Sequence, residues 1–425
     1  MRFSLAVLAQ FALSIAASVK GADLLLVYDT KLSPLESYTE LVSSLESQGL
    51  KVETADSSSD ISIADRGVFH YQHVVILPSK QRKLGKDITG AQLVDFFNQG
   101  GDVLALTSPL GVSEAVRTFW NELGVYPAPK GYELLDHFAY DKELGQEYHN
   151  IVQLNENNFL DQYIVRPLEL SYQGSSALLN NNPQLIPLVQ APTTSFSKSS
   201  KDGDEEWTVG KQGYLSVAFQ GLNDARALWT GDANLLSNQF LDQDKQFVND
   251  LIQWVFGIKN VLKTKAIRHS HADGTPYEVR PYKIKDDIHY EIELQQWDGS
   301  KWVPYVADDL QLEIKLLDPY HRLNLSFVSS SGDSALYSTD FKLPDKHGVF
   351  SFQIDYKKPG FTFLEEKDIL SIRHLANDEY PRSWEITNSW VYITSSVVVF
   401  SGWFMFVLAF IYGRDETTAD RKKEK

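Results

Sequence analysis

The 425-residue chain contains no cysteine. Disulfides, thiolate nucleophiles and cysteine-ligated metals are therefore excluded, and folded regions must hold by packing alone. Positive charge is also scarce, with 40 Lys and Arg against 56 Asp and Glu for a net charge of −16. A nucleic-acid surface needs clustered Lys and Arg, so that class of partner is excluded. No Gly-x-Ser-x-Gly elbow, Walker loop or Gly-x-Gly-x-x-Gly fingerprint occurs, and neither does an internal repeat or a low-complexity segment. Apolar residues, by contrast, make up 43% of the chain, enough for two or three domains with real cores.

The apolar stretch from Trp390 to Tyr412, which carries no charge, reads as a transmembrane helix. A helix rises about 1.5 Å per residue, so some twenty apolar residues cross a hydrocarbon layer about 30 Å thick. Trp390, Tyr392 and Tyr412 stand at its ends, where aromatic rings prefer the headgroup level. Beyond it, Arg414, Arg421, Lys422, Lys423 and Lys425 predict a cytosolic tail, which puts the rest of the chain on the other side. Lys422 and Lys423, fourth and third from the end with Lys425 counted as the first, have the pattern of a dilysine retrieval signal for the endoplasmic reticulum. Within the helix, Ser395, Gly402 and Ala409 are seven residues apart on one face, a candidate contact with another membrane helix.

At the other end, Arg2 precedes an apolar run from Phe3 to Ala17 and small residues at Ala16, Ala17 and Ser18, as in a secretory signal peptide. Cleavage after Ser18 or after Gly21 fits equally. On this topology the one Asn-x-Ser/Thr sequon, Asn324-Leu325-Ser326, is lumenal and a candidate for glycosylation.

Between these ends the texture changes once. Leu24 to Asp29, His73 to Pro78 and Val103 to Leu106 are short apolar runs, the mark of strands buried on both faces. Helical patterns follow from Ser33-Pro34 to Gly49, from Thr89 to Gly100 and from Ser113 to Leu123. Strands at Gln184 to Val189, Tyr214 to Phe219 and Ala225 to Trp229, then a helix from Phe240 to Gly257, extend the cycle. Ser195 to Glu206 reads as a polar loop. The alternation predicts a parallel sheet in a doubly wound α/β domain. After about Asn260, closely spaced strands take over: Ile288 to Leu294, Trp302 to Val306, Leu310 to Leu316, Leu323 to Val328, Ala335 to Phe341, Gly348 to Tyr356 and Phe361 to Phe363. That pattern predicts a β-sandwich.

The expected organisation is thus a signal peptide (1–21), a lumenal α/β domain (22–260), a lumenal all-β sandwich (261–376), a juxtamembrane linker (377–389), a transmembrane helix (390–412) and a cytosolic tail (413–425).

Candidate chemistry is thin. Tyr28-Asp29, Thr107-Ser108-Pro109 and Thr230-Gly231-Asp232 sit at expected strand ends, where polar residues either cap backbone or line a ligand cleft. In His269-Ser270-His271-Ala272-Asp273-Gly274, residues two apart on a strand face one way, so both imidazoles and Asp273 suggest a metal. A third firm ligand is lacking and Asp273-Gly274-Thr275-Pro276 reads as a turn, so a hydrogen-bonded turn is the better reading. The pairs Asp286-Asp287 and Asp308-Asp309 read as turns or solvated edges rather than calcium or glycosidase carboxylates. No catalytic, cofactor or metal residue is assigned.

Five motifs carry a resemblance. They are Asn121-Glu122-Leu123-Gly124-Val125-Tyr126-Pro127, the run from His269 to Gly274, Pro281-Tyr282-Lys283-Ile284-Lys285-Asp286, Leu343 to Phe350, and His374 to Trp384. Together they resemble the 48-kDa subunit family of oligosaccharyltransferase, which includes the fungal wheat-germ-agglutinin-binding subunit. The likeness covers essentially the whole chain. It implies a noncatalytic, structural subunit of the complex that transfers a preassembled glycan from dolichyl diphosphate to Asn of Asn-x-Ser/Thr sequons. The chemistry would belong to a separate multi-span catalytic subunit. A ribophorin II-like subunit and a small defender-against-death-type subunit are the further partners it implies. The alternatives from the residues alone are a free-standing lumenal glycan-binding or quality-control receptor, and a hydrolase using His269, His271 and Asp273.

Overall fold

A computed structural model describes residues 21–85, 88–142, 148–160, 164–199, 205–238, 245–380 and 388–413. The expected signal peptide up to residue 20, the stretch 381–387, Phe240 and the dilysine pair Lys422 and Lys423 lie outside the described residues.

The apolar runs of the first half become strands of one sheet. They are β1 (Asp23–Tyr28), β2 (Lys51–Asp56), β3 (His73–Ile76), β4 (Asp102–Leu106), β5 (Val125–Pro127), β6 (Ala177–Leu179), β7 (Leu185–Gln190), β8 (Tyr214–Gln220) and β9 (Arg226–Thr230). Their lateral order is β2-β1-β3-β4-β9-β8-β6-β5, with β7 also on β8. From β2 to β9 neighbours run parallel. Beyond β9 every pairing is antiparallel. The expected all-parallel sheet is therefore mixed. The physical reason is the connection between β8 and β9, a tight turn closed by Gly221 N donating to Ala225 O at 2.8 Å. A turn that short can join only antiparallel strands.

Strand pleating sorts the core into two faces. Leu24 and Leu26 of β1 join an apolar cluster with α1 (Thr39–Ser47), while Leu25 and Val27 join another with α2 (Gly90–Asn98) and α3 (Glu114–Leu123). The last helix of this half, α4 (Lys245–Val255), packs on the α1 side through Phe247, Val248, Leu251 and Ile252. Each fully buried Leu contributes about 2 kcal/mol relative to exposure. Thr89 opens α2 as the sequence predicts, its Oγ1 capping the first turn by accepting from Gln92 N at 3.3 Å. Gly124 ends α3 at φ +92°, a conformation that favours glycine.

Residues between β5 and β8 fold back over the sheet as two small antiparallel pairs. Tyr132–Leu135 pairs with Phe196–Ser199, and Val152–Asn155 pairs with Glu169–Tyr172. The expected loop from Ser195 to Glu206 thus begins as a strand, held by a partner sixty residues upstream that no local pattern announces.

The second half is two antiparallel sheets. One has the order β10-β11-β16-β15, with β12 also on β11; the other is β14-β13-β17-β18. These are β10 (Val261–His271), β11 (Asp287–Trp297), β12 (Trp302–Pro304), β13 (Gln311–Lys315), β14 (Pro319–Asn324), β15 (Ser326–Ser331), β16 (Ser334–Lys342), β17 (Gly348–Tyr356) and β18 (Leu364–Ile372). Ile288, Tyr290, Ile292 and Leu294 from the first sheet meet Leu312, Ile314, Phe350, Phe352 and Ile354 from the second in one cluster. Two expectations change here. The single strand expected from Leu323 to Val328 is two strands in different sheets. They are split at Leu325, which turns into the core and donates its N–H to Leu310 O at 2.9 Å. The strand expected at Phe361 to Phe363 is irregular, because backbone groups around it are taken by side chains of the first half. After residue 388 comes a single helix, α5 (Ser389–Tyr412), none of whose residues is buried.

The two halves meet at a buried cation. Arg226 of β9 is 1% exposed. Its guanidinium donates to Trp254 O at 2.7 Å, Lys259 O at 3.2 Å and Asn260 O at 3.5 Å, and lies 5.0 Å from the centre of the Trp254 ring. Its own N–H donates to Asp102 Oδ1 at 2.8 Å. Trp254 Nε1 then donates to Gly360 O at 2.9 Å, and Gln220 bridges Phe361 O at 2.6 Å and Gly360 N at 2.9 Å. Arg226→Ala strands these carbonyls out of water and is expected to lower unfolding free energy by about 3 kcal/mol or more. Urea unfolding of the full chain measures this, with limited proteolysis around residue 260 reporting whether the junction opens. An unchanged midpoint would show that the guanidinium holds nothing.

Candidate functional site

All three expected strand-end motifs converge on one edge of the first sheet. The chain leaves β1 toward β2 on one side and returns to β3 on the other, so the strand order switches between β1 and β3. In open α/β sheets the crevice beyond such a switch is the usual ligand position. Asp29, just after β1, accepts from Ser79 Oγ at 3.1 Å, Lys80 N at 3.2 Å and Lys31 N at 2.9 Å. These bonds stitch the two strand ends together and occupy its carboxylate. Ser33 Oγ adds a bond to Pro78 O at 2.9 Å.

Deeper on the same edge lies Asp232, 2% exposed. Burial pushes its carboxyl up to about 7, against the opposing pull of the backbone N–H groups of Gln173, Asn234 and Leu235. It accepts from Gln173 N and Asn234 N at 2.8 Å each, fixing both residues in the wall of a cleft. Asn234 Nδ2 donates to Gln173 Oε1 at 3.3 Å. The cleft holds about 190 Å³ and is also bounded by Ser108 and Pro109 of the second expected motif. Gly174 is required here: a Cβ on it would fall 2.3 Å from Gly231 O. Gln173 and Asn150 escaped sequence reasoning because they lie in the folded-back excursion, which has no periodic pattern. Asp232 was visible as a strand-end residue, without its partners.

The His269–Asp273 motif resolves differently. His269 and His271 do face one way from β10, and both rings pack against Tyr282, at 5.7 and 4.8 Å between centroids. Three of their four nitrogens are hydrogen-bonded, and His271 Nδ1 faces Asp286 Oδ2 at 3.6 Å. His269 Nδ1 lies 2.8 Å from Tyr282 Oη and Nε2 lies 2.9 Å from Asp368 Oδ2, while His271 Nε2 lies 2.8 Å from Arg280 O. Asp273 turns away, accepting from Thr275 N at 3.0 Å and Arg280 at 2.8 Å, as the turn reading requires. Among the described residues no three His, Asp or Glu are placed to share a metal. The acidic pairs are likewise engaged: Asp286 accepts from Lys283 N at 3.0 Å, and Asp309 accepts from Tyr356 Oη at 2.8 Å.

Two further candidates are exposed. Asn324 ends β14, its Oδ1 accepting from Gln311 Nε2 at 2.9 Å, and Ser326 of its sequon opens β15. On α5, Ser395, Gly402 and Ala409 are all exposed, and a Cβ on Gly402 would meet nothing within 4 Å. The helix is long and apolar enough to cross a membrane.

With this geometry in view, likeness to known proteins can be weighed. A family model described as the OST48 N-terminal domain matches residues 15–258, and one described as the OST48 middle domain matches residues 269–414. The dolichyl-diphosphooligosaccharide–protein glycosyltransferase subunit WBP1 of Saccharomyces cerevisiae is 40% identical over 396 residues, covering 91% of this chain and 90% of that protein. The chain belongs to the OST48 family. More distant relatives include the glycosyltransferase 48 kDa subunit of Caenorhabditis elegans, 27% identical over 93% of this chain and 92% of its own length. The Schizosaccharomyces pombe subunit wbp1 is 27% identical over 87% of each chain. The resemblance drawn from the five motifs is borne out. The two family models meet beside the Arg226 junction, so the bonded chain of Arg226, Trp254 and Gln220 holds one OST48 region to the other.

Asp232 gives a pH test. The folded chain keeps its proton up to about 7, whereas the unfolded chain releases it near the ordinary 3.8. Between those values the folded state binds more protons, so this group's contribution to stability is full below the lower value and is lost as pH rises through the upper one. Wild type is expected to lose stability between about pH 5 and 7 relative to Asp232→Asn, and the difference to level off above. Thermal unfolding of both chains across that range measures it; parallel curves would remove Asp232 as a titrating group.

Proposed function

We propose that this chain is a noncatalytic, structural subunit of the oligosaccharyltransferase complex, which transfers a preassembled glycan from dolichyl diphosphate to Asn of Asn-x-Ser/Thr sequons. The observation that carries it is the 40% identity to yeast WBP1 over nine-tenths of both chains. Its catalytic multi-span subunit, a ribophorin II-like subunit and a defender-against-death-type subunit are the proposed partners. In this reading the chain is a single-pass type I protein of the endoplasmic reticulum membrane. Both folded halves are lumenal, and Lys422 and Lys423 act as the retrieval signal.

Physical support comes from several elements. At 24 residues, α5 rises about 36 Å, enough to cross a hydrocarbon layer about 30 Å thick with some tilt. Its wholly exposed apolar surface favours lipid and neighbouring helices as its surroundings. Small residues let membrane helices approach closely, so Ser395, Gly402 and Ala409 form the proposed contact face. The two apolar faces of the first sheet support a doubly wound domain up to about residue 260, and the shared cluster between the next two sheets supports a β-sandwich. Exposure of Asn324 at a strand end supports its glycosylation.

The decisive experiment is purification in mild detergent through a tag inserted after the signal peptide, followed by identification of copurifying chains and an assay of glycan transfer to an acceptor peptide. A multi-span catalytic subunit recovered stoichiometrically with activity is expected, and Gly402→Leu is expected to reduce that recovery. A lone, inactive chain from membranes whose transferase is intact would sink the reading in favour of a free-standing receptor. Separately, Asn324→Gln is expected to abolish an endoglycosidase-sensitive mobility shift on gels; a wild-type chain without that shift would show the site unused.

A further inference from the structure

We propose that the cleft beyond β1 and β3 binds one residue of a neutral carbohydrate. Position is the first argument: Leu32 follows β1 and Pro78 follows β3, so the cleft opens at the point where the strand order reverses. Chemistry is the second. The polar side chains on its wall are the hydroxyls of Ser108 and Tyr38 (the latter donating to Ala233 O), the amides of Asn150, Gln173 and Asn234, and the carboxylate of Glu133. Among the described residues that line it there is no Lys or Arg, so a phosphate or diphosphate would find no counter-charge and would face Glu133 instead. Amides and carboxylates supply donors and acceptors side by side, the complement of sugar hydroxyls that both give and receive hydrogen bonds. Leu110, well exposed at the rim, adds apolar surface against which the C–H face of a ring can lie.

The wall is built rather than incidental. Asp232 holds Gln173 and Asn234 through their backbone N–H groups, and Asn234 Nδ2 gives one of its two N–H groups to Gln173 Oε1. Gln173 Nε2 and Asn234 Oδ1 are thereby left for a ligand, one donor beside one acceptor. At 190 Å³ the cleft is smaller than the about 300 Å³ at which drug-sized pockets begin, so it takes a terminal sugar rather than a chain. The inference rests on the subunit reading only for its occupant, which would be a neutral arm of the glycan being transferred. The lipid-linked diphosphate has no place in it.

The test is saturation-transfer NMR on the purified full-length chain, in whatever assembly it is recovered, with methyl α-glucoside, methyl α-mannoside and diacetylchitobiose as probes. At least one is expected to bind saturably. Asn150→Ala, at a position whose side chain makes no bond among the described residues, and Gln173→Leu are each expected to weaken it about fivefold. Inorganic phosphate and an Asn-x-Thr peptide are expected not to compete. Absence of saturable binding by all three sugars would overturn the proposal, as would binding indifferent to both variants or displacement by phosphate or peptide. A chain that copurifies with an active complex but binds no sugar loses this inference and keeps the subunit reading; a chain that binds sugar alone does the reverse.

Discussion

One buried guanidinium fixes the geometry of the whole folded chain. A helix leaves its last carbonyls without internal partners and carries partial negative charge at that end. Arg226 meets both needs at the end of α4, donating to Trp254 O and to the turn that follows at Lys259 and Asn260. Burial lowers its affinity for the proton, and the nearby carboxylates of Asp224 and Asp102 oppose that shift. A desolvated cation is tolerable only when its donors are used, and here several converge on backbone carbonyls. Because Trp254 stacks on the guanidinium and also bonds Gly360, displacing the arginine would loosen the sheet, α4 and the second half together.

The same economy runs through the second half, where no disulfide is available. Tyr305 and Tyr356 hydroxyls lie 2.9 Å apart, Tyr356 continues to Asp309, and Tyr337 donates to Tyr305 O at 2.9 Å while accepting from Ala307 N at 2.6 Å. These bonds thread an apolar cluster drawn from two sheets. Within low-dielectric surroundings such a network penalises any slip of register, since a one-residue shift would leave hydroxyls unpaired. His269 and His271 belong to the same logic: clamped around Tyr282, they join the turn after β10 to β18 through Asp368. A motif that looks like metal chemistry in one dimension is a packing device in three.

What the sequence made legible follows from where burial is continuous. β1, β3 and β4 announce themselves because both faces are covered, and α2 and α3 because Thr89 and Gly124 punctuate them. Edge strands stay hidden. Only Ala55 of β2 is buried, and in β18 four consecutive charged residues, Glu365 to Asp368, separate the buried Leu364 from Leu370 and Ile372, so neither shows a continuous apolar run. The folded-back excursion is hidden for another reason, since Tyr132–Leu135 finds its partner at Phe196–Ser199 and no local pattern encodes a pairing that distant. The cleft depends on that excursion. Its strand-end half was readable in Ser108 and Asp232, and its other half was not.

The contacts after β18 bear on how the folded halves would sit at the membrane in the proposed topology. Arg373, one residue past β18, grips Glu379 through both guanidinium nitrogens at 2.6 and 2.7 Å, and its backbone pairs with Tyr282 and Ile284. The clip holds the chain against the second half as far as Glu379. From Tyr380 to Ser389 even a fully extended chain covers only about 30 Å. In the proposed topology the second half therefore cannot drift far from the bilayer, and the Arg226 junction passes that restraint on to the first. If the proposed topology holds, an anchor within about 30 Å of the folded halves and a junction without slack would hold the cleft near a set height at the membrane, as a structural subunit requires.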